Sequence, residues 1–312
     1  MNTSTSVISH MNSFLPQALS QFVAQLFKFN RNSPQARSFD AAKGLNTGLR
    51  TGMKNLDYSA NKASAQDGVG HVHLIGSGPG DAELLTVKAY RLLQSVDVVM
   101  YDWLVNPDIL DMIPAHVERR FVGKKCGEHS MTQVQISELL VCVAKEGKTI
   151  ARLKGGDPAI FARAAEECDL LTKHQIPFSI VPGITAASGA SAYAGIPLTH
   201  RDCAQSVRFI TGHLKNNTSD LKWQSLVSEH ETLVFYMGLV ALPMISRSLI
   251  KHGMSPDMPV AVVSKGTLPE QQVVISSIDT IAKEIDERGI KAPTIIIVGR
   301  VVTLHEKLNW TS

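Results

Sequence analysis

The sequence predicts an α/β protein of two domains behind a poorly ordered N-terminal extension, and three observations carry that expectation. From His71 onward, short apolar runs alternate with amphipathic stretches. In the first half, loops of Gly, Pro, Asp or Thr follow the apolar runs, and in the second half strand patterns outnumber helix patterns. The chain of 312 residues is long enough for two domains, and its 44% hydrophobic, 19% charged composition is that of a globular protein.

Residues 1–70 differ from the rest. They are rich in Ser, Asn, Ala and Gln, carry no acid before Asp40, and hold seven Lys/Arg against three Asp/Glu. That surplus accounts for the whole net charge of +3, so the basic balance does not point to nucleic acid. With one amphipathic stretch at 14-FLPQALSQFVAQLFKF-29, this segment reads first as a disordered extension ending in a small partner-binding helix, and an organelle transit peptide is the competing reading. A cytoplasmic protein is the first expectation. The polar run 58-YSANKASAQDGVG-70 reads as a linker. No apolar run reaches the roughly 20 residues of a membrane-spanning helix. Cys126, Cys142, Cys168 and Cys203 are widely spaced, so neither a disulfide framework nor a metal site is signalled.

The elements follow in order. The run 71-HVHLIG-76 reads as a buried strand, 82-AELLTVKAYRLLQS-95 as a helix and 96-VDVVMY-101 as a strand, which together make a βαβ unit. A helix over 134–147, with Ser130 and Gln133 as its capping box, leads to strand 149-TIARL-153. A helix over about 163–174 and strand 178-FSIV-181 complete a parallel sheet. Strands at 206–211, 232–237, 259–264, 272–276 and 294–299, with helices at 241–253 and 278–289, make a mixed second sheet. The join lies at the small-residue segment 185-TAASGASAYAG-195, giving domains at 71–184 and 185–312.

In open α/β sheets ligands bind beyond the carboxyl ends of strands. Four loops fall there: 76-GSGPGD-81, 102-DWLV-105, 154-KGGDP-158 and 182-PGITAA-187. The first is G-x-G-P-G rather than G-x-G-x-x-G, and Pro79 removes an N–H that a pyrophosphate would want, which disfavours a dinucleotide site. No Gly-Lys-Ser/Thr follows, so it is not a P-loop. A turn that brings backbone close to a ligand remains.

The ordered set GSGPGDAELLT, YDWLV, GKKCGEHSMTQ, RLKGGDP, VPGITAASGASAYAGIPLTHRD, TGHLK, YMG and VGRVV resembles the uroporphyrinogen-III C-methyltransferases of the tetrapyrrole methylase family, from residue 71 to the C-terminus. The resemblance implies a two-domain methylase fold, a homodimer, and S-adenosylmethionine (SAM) in the interdomain cleft. It implies two methylations of uroporphyrinogen III to precorrin-2, for siroheme or cobalamin-type macrocycles, and leaves S-adenosylhomocysteine as the other product. The dehydrogenase and ferrochelatase module fused to some members is not expected within the first 70 residues.

Carried onto this sequence, the family's SAM contacts are Pro79, Gly155, Gly156, Asp157, Ile160, Thr185, Ala186, Met237 and Gly266. The same resemblance makes Asp102 a proton acceptor and Lys124 a proton donor. By their residue types alone, Asp102 reads equally as a turn cap, Lys124 as a solvated charge, and Ile160 and Met237 as core. Because the substrate carries eight carboxylates, cations near the loops are needed, and Arg152, Lys154, Arg163, His200 and Arg201 are the candidates. The family's loop usually continues after G-G-D-P with an aromatic residue and several glycines. Here Ala159 replaces the aromatic, and Ala162, Ala164 and Ala165 replace glycines. Those changes predict a stiffer segment with retained SAM contacts. A SAM-binding relative with another tetrapyrrole substrate, or a regulator without turnover, is the alternative.

Overall fold

The computed structural model describes residues 68–123, 131–212 and 221–311. The expectations for residues 1–67, and for Lys124 and Ser130, lie outside them.

The first sheet is wholly parallel, in the order β3-β2-β4-β1-β5. Its strands are β1 (Val72–Gly76), β2 (Val98–Tyr101), β3 (Glu118–Phe121), β4 (Ile150–Lys154) and β5 (Phe178–Val181). Strand alternation divides the side chains between two cores. Val72, Leu74, Val98, Met100 and Ile150 pack under α3 (Gln133–Lys145) and α4 (Ala164–Lys173). Ile75, Val99, Ala151 and Leu153 pack under α1 (Val87–Leu93) and α2 (Pro107–Asp111). Burial on both faces is why β1 and β2 read as largely apolar runs.

Three local readings need correction. The helix expected over 82–95 is broken: residues Ala82–Leu84 form one 3-10 turn, and α1 starts afresh after Thr86, whose side chain accepts from the Ala89 N–H at 3.2 Å. The capping box of α3 is Thr132 with Gln135, and Gln133 is the first residue of the helix rather than a cap partner. Strand β3, sequence ERRF, was not expected. It is an edge strand with charged side chains turned to solvent, so it carries no apolar signature.

The second sheet has the order β6-β7-β10-β8-β9 and is mixed, as expected. Its strands are β6 (Ser206–Thr211), β7 (Glu231–Tyr236), β8 (Pro259–Ser264), β9 (Gln272–Ser277) and β10 (Thr294–Val298). β6 and β7 run parallel, and the other pairs are antiparallel. One face is covered by α6 (Leu242–Lys251) and α7 (Ile281–Glu287) through Leu242, Ile245, Leu249, Ile281 and Ile285. The other is covered by α5 (Ala186–Tyr193), whose small residues Ala187 and Ala190 pack with Val234, Tyr236, Ala261 and Ile295. The small-residue join is therefore a helix seated on the second sheet. A short α8 (His305–Leu308) closes the chain. Among the described residues, no helix is long and apolar enough to cross a membrane.

At the amino end of the first sheet, the His73 ring lies 4.4 Å from that of His71, and its Nδ1 is 2.7 Å from Ser179 Oγ. Burial, reinforced by His71 and Lys88, pushes the His73 imidazole down to about 4. Its folded-state value is thus below the unfolded 6.5, and the unfolded chain binds the proton more readily. Stability from this site is fully present above about pH 6.5 and is lost as pH falls toward 4. Urea unfolding should show a loss of at most about 1 kcal/mol per pH unit in that window, discounted for the ring's partial solvent access. A His73→Gln variant should show a shallower slope, since burial also lowers the His71 pKa.

Candidate active site

Three of the four loops, 76–81, 154–158 and 182–187, meet at the carboxyl edge of the first sheet because glycine lets their backbones touch, and the 102–105 loop approaches through Leu104, whose Cβ lies 2.6 Å from an ideal Cβ on Gly155. An ideal Cβ on Gly76 would lie 2.6 Å from both the Gly156 carbonyl oxygen and the Gly183 nitrogen. One on Gly183 would lie 2.3 Å from the same Gly156 oxygen. Backbone bonds stitch the contact: Ser77 N donates to Lys154 O at 2.8 Å, Gly156 N to Gly78 O at 2.7 Å, and Gly78 N to Gly156 O at 3.2 Å. Asp157 ties two loops with one carboxylate, Oδ1 accepting from Ala159 N at 2.8 Å and Oδ2 from Gly183 N at 3.0 Å.

The second sheet supplies the facing wall. The Tyr236 hydroxyl, at the end of β7, lies 2.6 Å from Thr185 Oγ1 and accepts from the Ala187 N–H at 3.1 Å, which fixes the start of α5 beside Thr185 and Ala186. Burial pushes that phenol's pKa up. The Phe161 ring stands 5.0 Å from Tyr236, and Ile160 packs against the same core. Pro79 rests on α5, since a Cβ at Gly189 would come within 2.3 Å of its Cγ. Gly266 abuts the same helix, its ideal Cβ falling 2.7 Å from that of Ala190. Met237 is half exposed.

Phe161, Arg163, Met237, Lys265 and Thr267 all take left-handed backbone angles, with φ between 50° and 70°. Such conformations cost on the order of 1–3 kcal/mol each and persist where the surroundings enforce them. They fall on Phe161 and Arg163, not on Ala162, Ala164 or Ala165. The alanines therefore carry no backbone strain. Ala164 and Ala165 are the first two residues of α4, so helix-favouring side chains stand where a helix forms.

Beneath the loops lies a buried ionic cluster. Arg152 and Lys154 point from the same face of β4, and each side chain is only 3% exposed. Glu167 of α4 is fully buried between them, its Oε1 accepting from Lys154 Nζ at 2.9 Å, Arg152 Nε at 3.3 Å and Gln133 Nε2 at 2.9 Å. Its Oε2 has no hydrogen-bond partner among the described residues. Burial, then the neighbouring Arg152 charge, lowers the Lys154 pKa. Arg152 also lies 3.5 Å from Asp102 Oδ2, and Asp102 Oδ1 accepts from Leu104 N at 3.2 Å. Asp102 is thus a turn cap and the partly open end of the cluster.

Arg152 and Lys154, two of the candidate cations for the substrate, lie inside this cluster. They are enclosed and paired with Glu167, so they do not stand as free cations at the surface. Arg163 is exposed and forms a two-point pair with Glu166 at 2.7 Å. His200 and Arg201 sit in an exposed turn closed by the His200–Ala204 backbone pair, beside an open cleft of about 440 Å³ that also includes Thr199 and Gln205. No group of His, Cys, Asp and Glu among the described residues could hold a metal ion.

The wall fits SAM in kind: small residues, an exposed Met and an aromatic ring suit adenine and the methylthio group, while convergent backbone and a carboxylate suit the polar end. Sequence reasoning missed two residues, the Tyr236 hydroxyl and Glu167. The second left a signal, because two cations two positions apart on a buried strand require an acid opposite them.

Glycine-lined loops at the carboxyl edge of a parallel sheet, faced by a second α/β layer, define a small-molecule binding type of site. Residues 71–282 match the Tetrapyrrole (Corrin/Porphyrin) Methylases, and the chain belongs to that family. It is 56% identical over 252 residues to a siroheme synthase of Hahella chejuensis, covering 81% of this chain and 54% of that protein. The chain thus spans about half the length of the curated relatives it matches. It superposes on a crystal structure of uroporphyrin-III C-methyltransferase from Thermus thermophilus complexed with S-adenyl homocysteine, with TM-score 0.64, 35% identity, and coverage of 75% of this chain and 93% of that one. A cobalt precorrin-4 methyltransferase gives TM-score 0.67 at 28% identity, covering 74% of this chain and 95% of the other.

Proposed function

We propose that this protein is a SAM-dependent C-methyltransferase that adds two methyl groups in succession to uroporphyrinogen III, giving precorrin-2 for siroheme or cobalamin-type synthesis. The observation that carries the reading is the Gly76–Gly156–Gly183 contact with Asp157 bonded across it, in a chain of this family. Pro79, Gly155, Gly156, Asp157, Ile160, Thr185, Ala186, Met237 and Gly266 would hold SAM. When bound, that group supplies an electrophilic methyl on a sulfonium. The protein's part is alignment of the ring carbon with that methyl, plus management of protons. Asp102, capped by Leu104 N and backed by Arg152, accepts a proton from the macrocycle, and Lys124 donates one. Arg163, His200 and Arg201 are the exposed cations for the substrate's carboxylates, while Arg152 and Lys154 act from beneath. A homodimer in the cytoplasm belongs to the same proposal.

The test is anaerobic incubation with SAM and uroporphyrinogen III, followed by mass analysis. Two methyl additions are expected, with loss of at least about tenfold in rate for Asp157→Ala, because both loop bonds to its carboxylate vanish. Tight SAM binding without methylation would instead favour the regulator, or a different tetrapyrrole substrate.

A further inference from the structure

The Gly-Pro-Gly-Asp loop of the first sheet is held from the second half of the chain by a network that ends in the C-terminal tail. Asp81 uses three of its groups. Its N–H donates to Thr267 Oγ1 at 2.9 Å, its Oδ1 accepts from Glu83 N at 2.9 Å, and its Oδ2 accepts from the Tyr193 hydroxyl at 2.6 Å. The carboxylate keeps that phenol protonated, its pKa pushed up to about 12. Gln271 braces the grip, accepting from Thr267 N at 2.8 Å and donating to Tyr193 O at 3.1 Å.

Tyr193 is the last residue of α5, where a helix leaves carbonyls without partners. The tail adds donors to the carbonyls at this end, beside the Gly195 N–H on Ala192 O and Gln271 on Tyr193 O. Trp310 Nε1 donates to Ala192 O at 2.9 Å, Thr311 Oγ1 to Tyr193 O at 3.1 Å, and His305 Nδ1 to Ala194 O at 2.6 Å. The Trp310 ring meets the Tyr193 ring edge-on with centroids 5.2 Å apart. Asp81, Tyr193, Thr267, Gln271 and Thr311 line one cleft of about 640 Å³.

We infer that Tyr193, locked in place by Trp310 and Thr311, is a positioning residue that fastens the loop bearing Pro79 against α5 and thereby sets the affinity for the cofactor. The inference rests on the SAM reading above. None of these bonds goes to Asp102, and the network braces the cofactor loop, so its effect falls on cofactor binding more than on turnover. Because tail and tyrosine act through the same bond to Asp81, their effects overlap rather than add.

Titration calorimetry with S-adenosylhomocysteine tests this on the full chain. Tyr193→Phe and Trp310→Ala are each expected to weaken binding about tenfold, and the double variant by about the same tenfold rather than a hundredfold. The KM for SAM should rise by more than kcat falls, which a general loss of stability would not produce. Trp310 is largely exposed, so its variant carries the test if Tyr193→Phe does not fold. Wild-type affinity in a folded Trp310→Ala protein overturns the inference and leaves the SAM reading standing. A wild-type protein that binds no S-adenosylhomocysteine overturns both.

Discussion

Glu167→Ala should lower the unfolding free energy by about 3–5 kcal/mol, the loss typical when one partner of a buried ion pair is removed and the other charge is left behind. The site is severe because two cations, not one, depend on this carboxylate, and neither Arg152 nor Lys154 reaches solvent. Lys154, whose pKa burial already lowers, can relieve part of the penalty by releasing its proton. Arg152 has no such route. It keeps its bond to Leu153 O at 2.9 Å and its approach to Asp102. Arg152 is therefore expected to swing toward Asp102, so methyl transfer should fall in the folded fraction as well. Glu167→Gln, which keeps the shape and an acceptor, should lose less. Urea unfolding followed by single-turnover methylation separates the two effects, and a stability loss below about 1 kcal/mol would mean that water reaches the cluster.

Gly183→Ala is expected to cost about 3 kcal/mol and most of the activity, the upper end of what overpacking produces. The new methyl would stand 2.3 Å from the Gly156 oxygen and 2.9 Å from Gly76 backbone atoms. All of these atoms are backbone, so no side chain can rotate away, and the loops must part. Gly156→Ala is the useful comparison. Its Cβ would have room, the nearest atom being 3.6 Å away, but its φ of 68° is strained for alanine, and about 1 kcal/mol is expected. Thermal denaturation of both variants checks the order. A smaller loss at Gly183 than at Gly156 would mean that the loops are not held by backbone contact.

Much of the fold was legible because each sheet buries both faces. Apolar runs such as 72–76, 98–101 and 294–298 had to be interior strands, and the glycine-rich segments after the first-half strands had to be loops at one edge. The edge strand β3 stayed hidden because its pairing is a backbone matter and its side chains face solvent. The break at Thr86 was equally hidden, since 82–95 keeps an apolar stripe on both sides of it.

For the site, the sequence by itself determined which residue types are available: close-packing glycines, the Asp157 carboxylate and a small-residue helix at 186–193. Only the tertiary structure decided what they do. It turned Arg152 and Lys154 inward, because alternate positions on β4 share one face and that face is roofed by α4 carrying Glu167. It placed the left-handed angles on Phe161 and Arg163 and so left the alanines without that backbone strain. It also joined Asp81 to Tyr193, 112 positions away, and Tyr193 to Trp310. Pairings across such separations depend on how two sheets pack, and no local pattern encodes that.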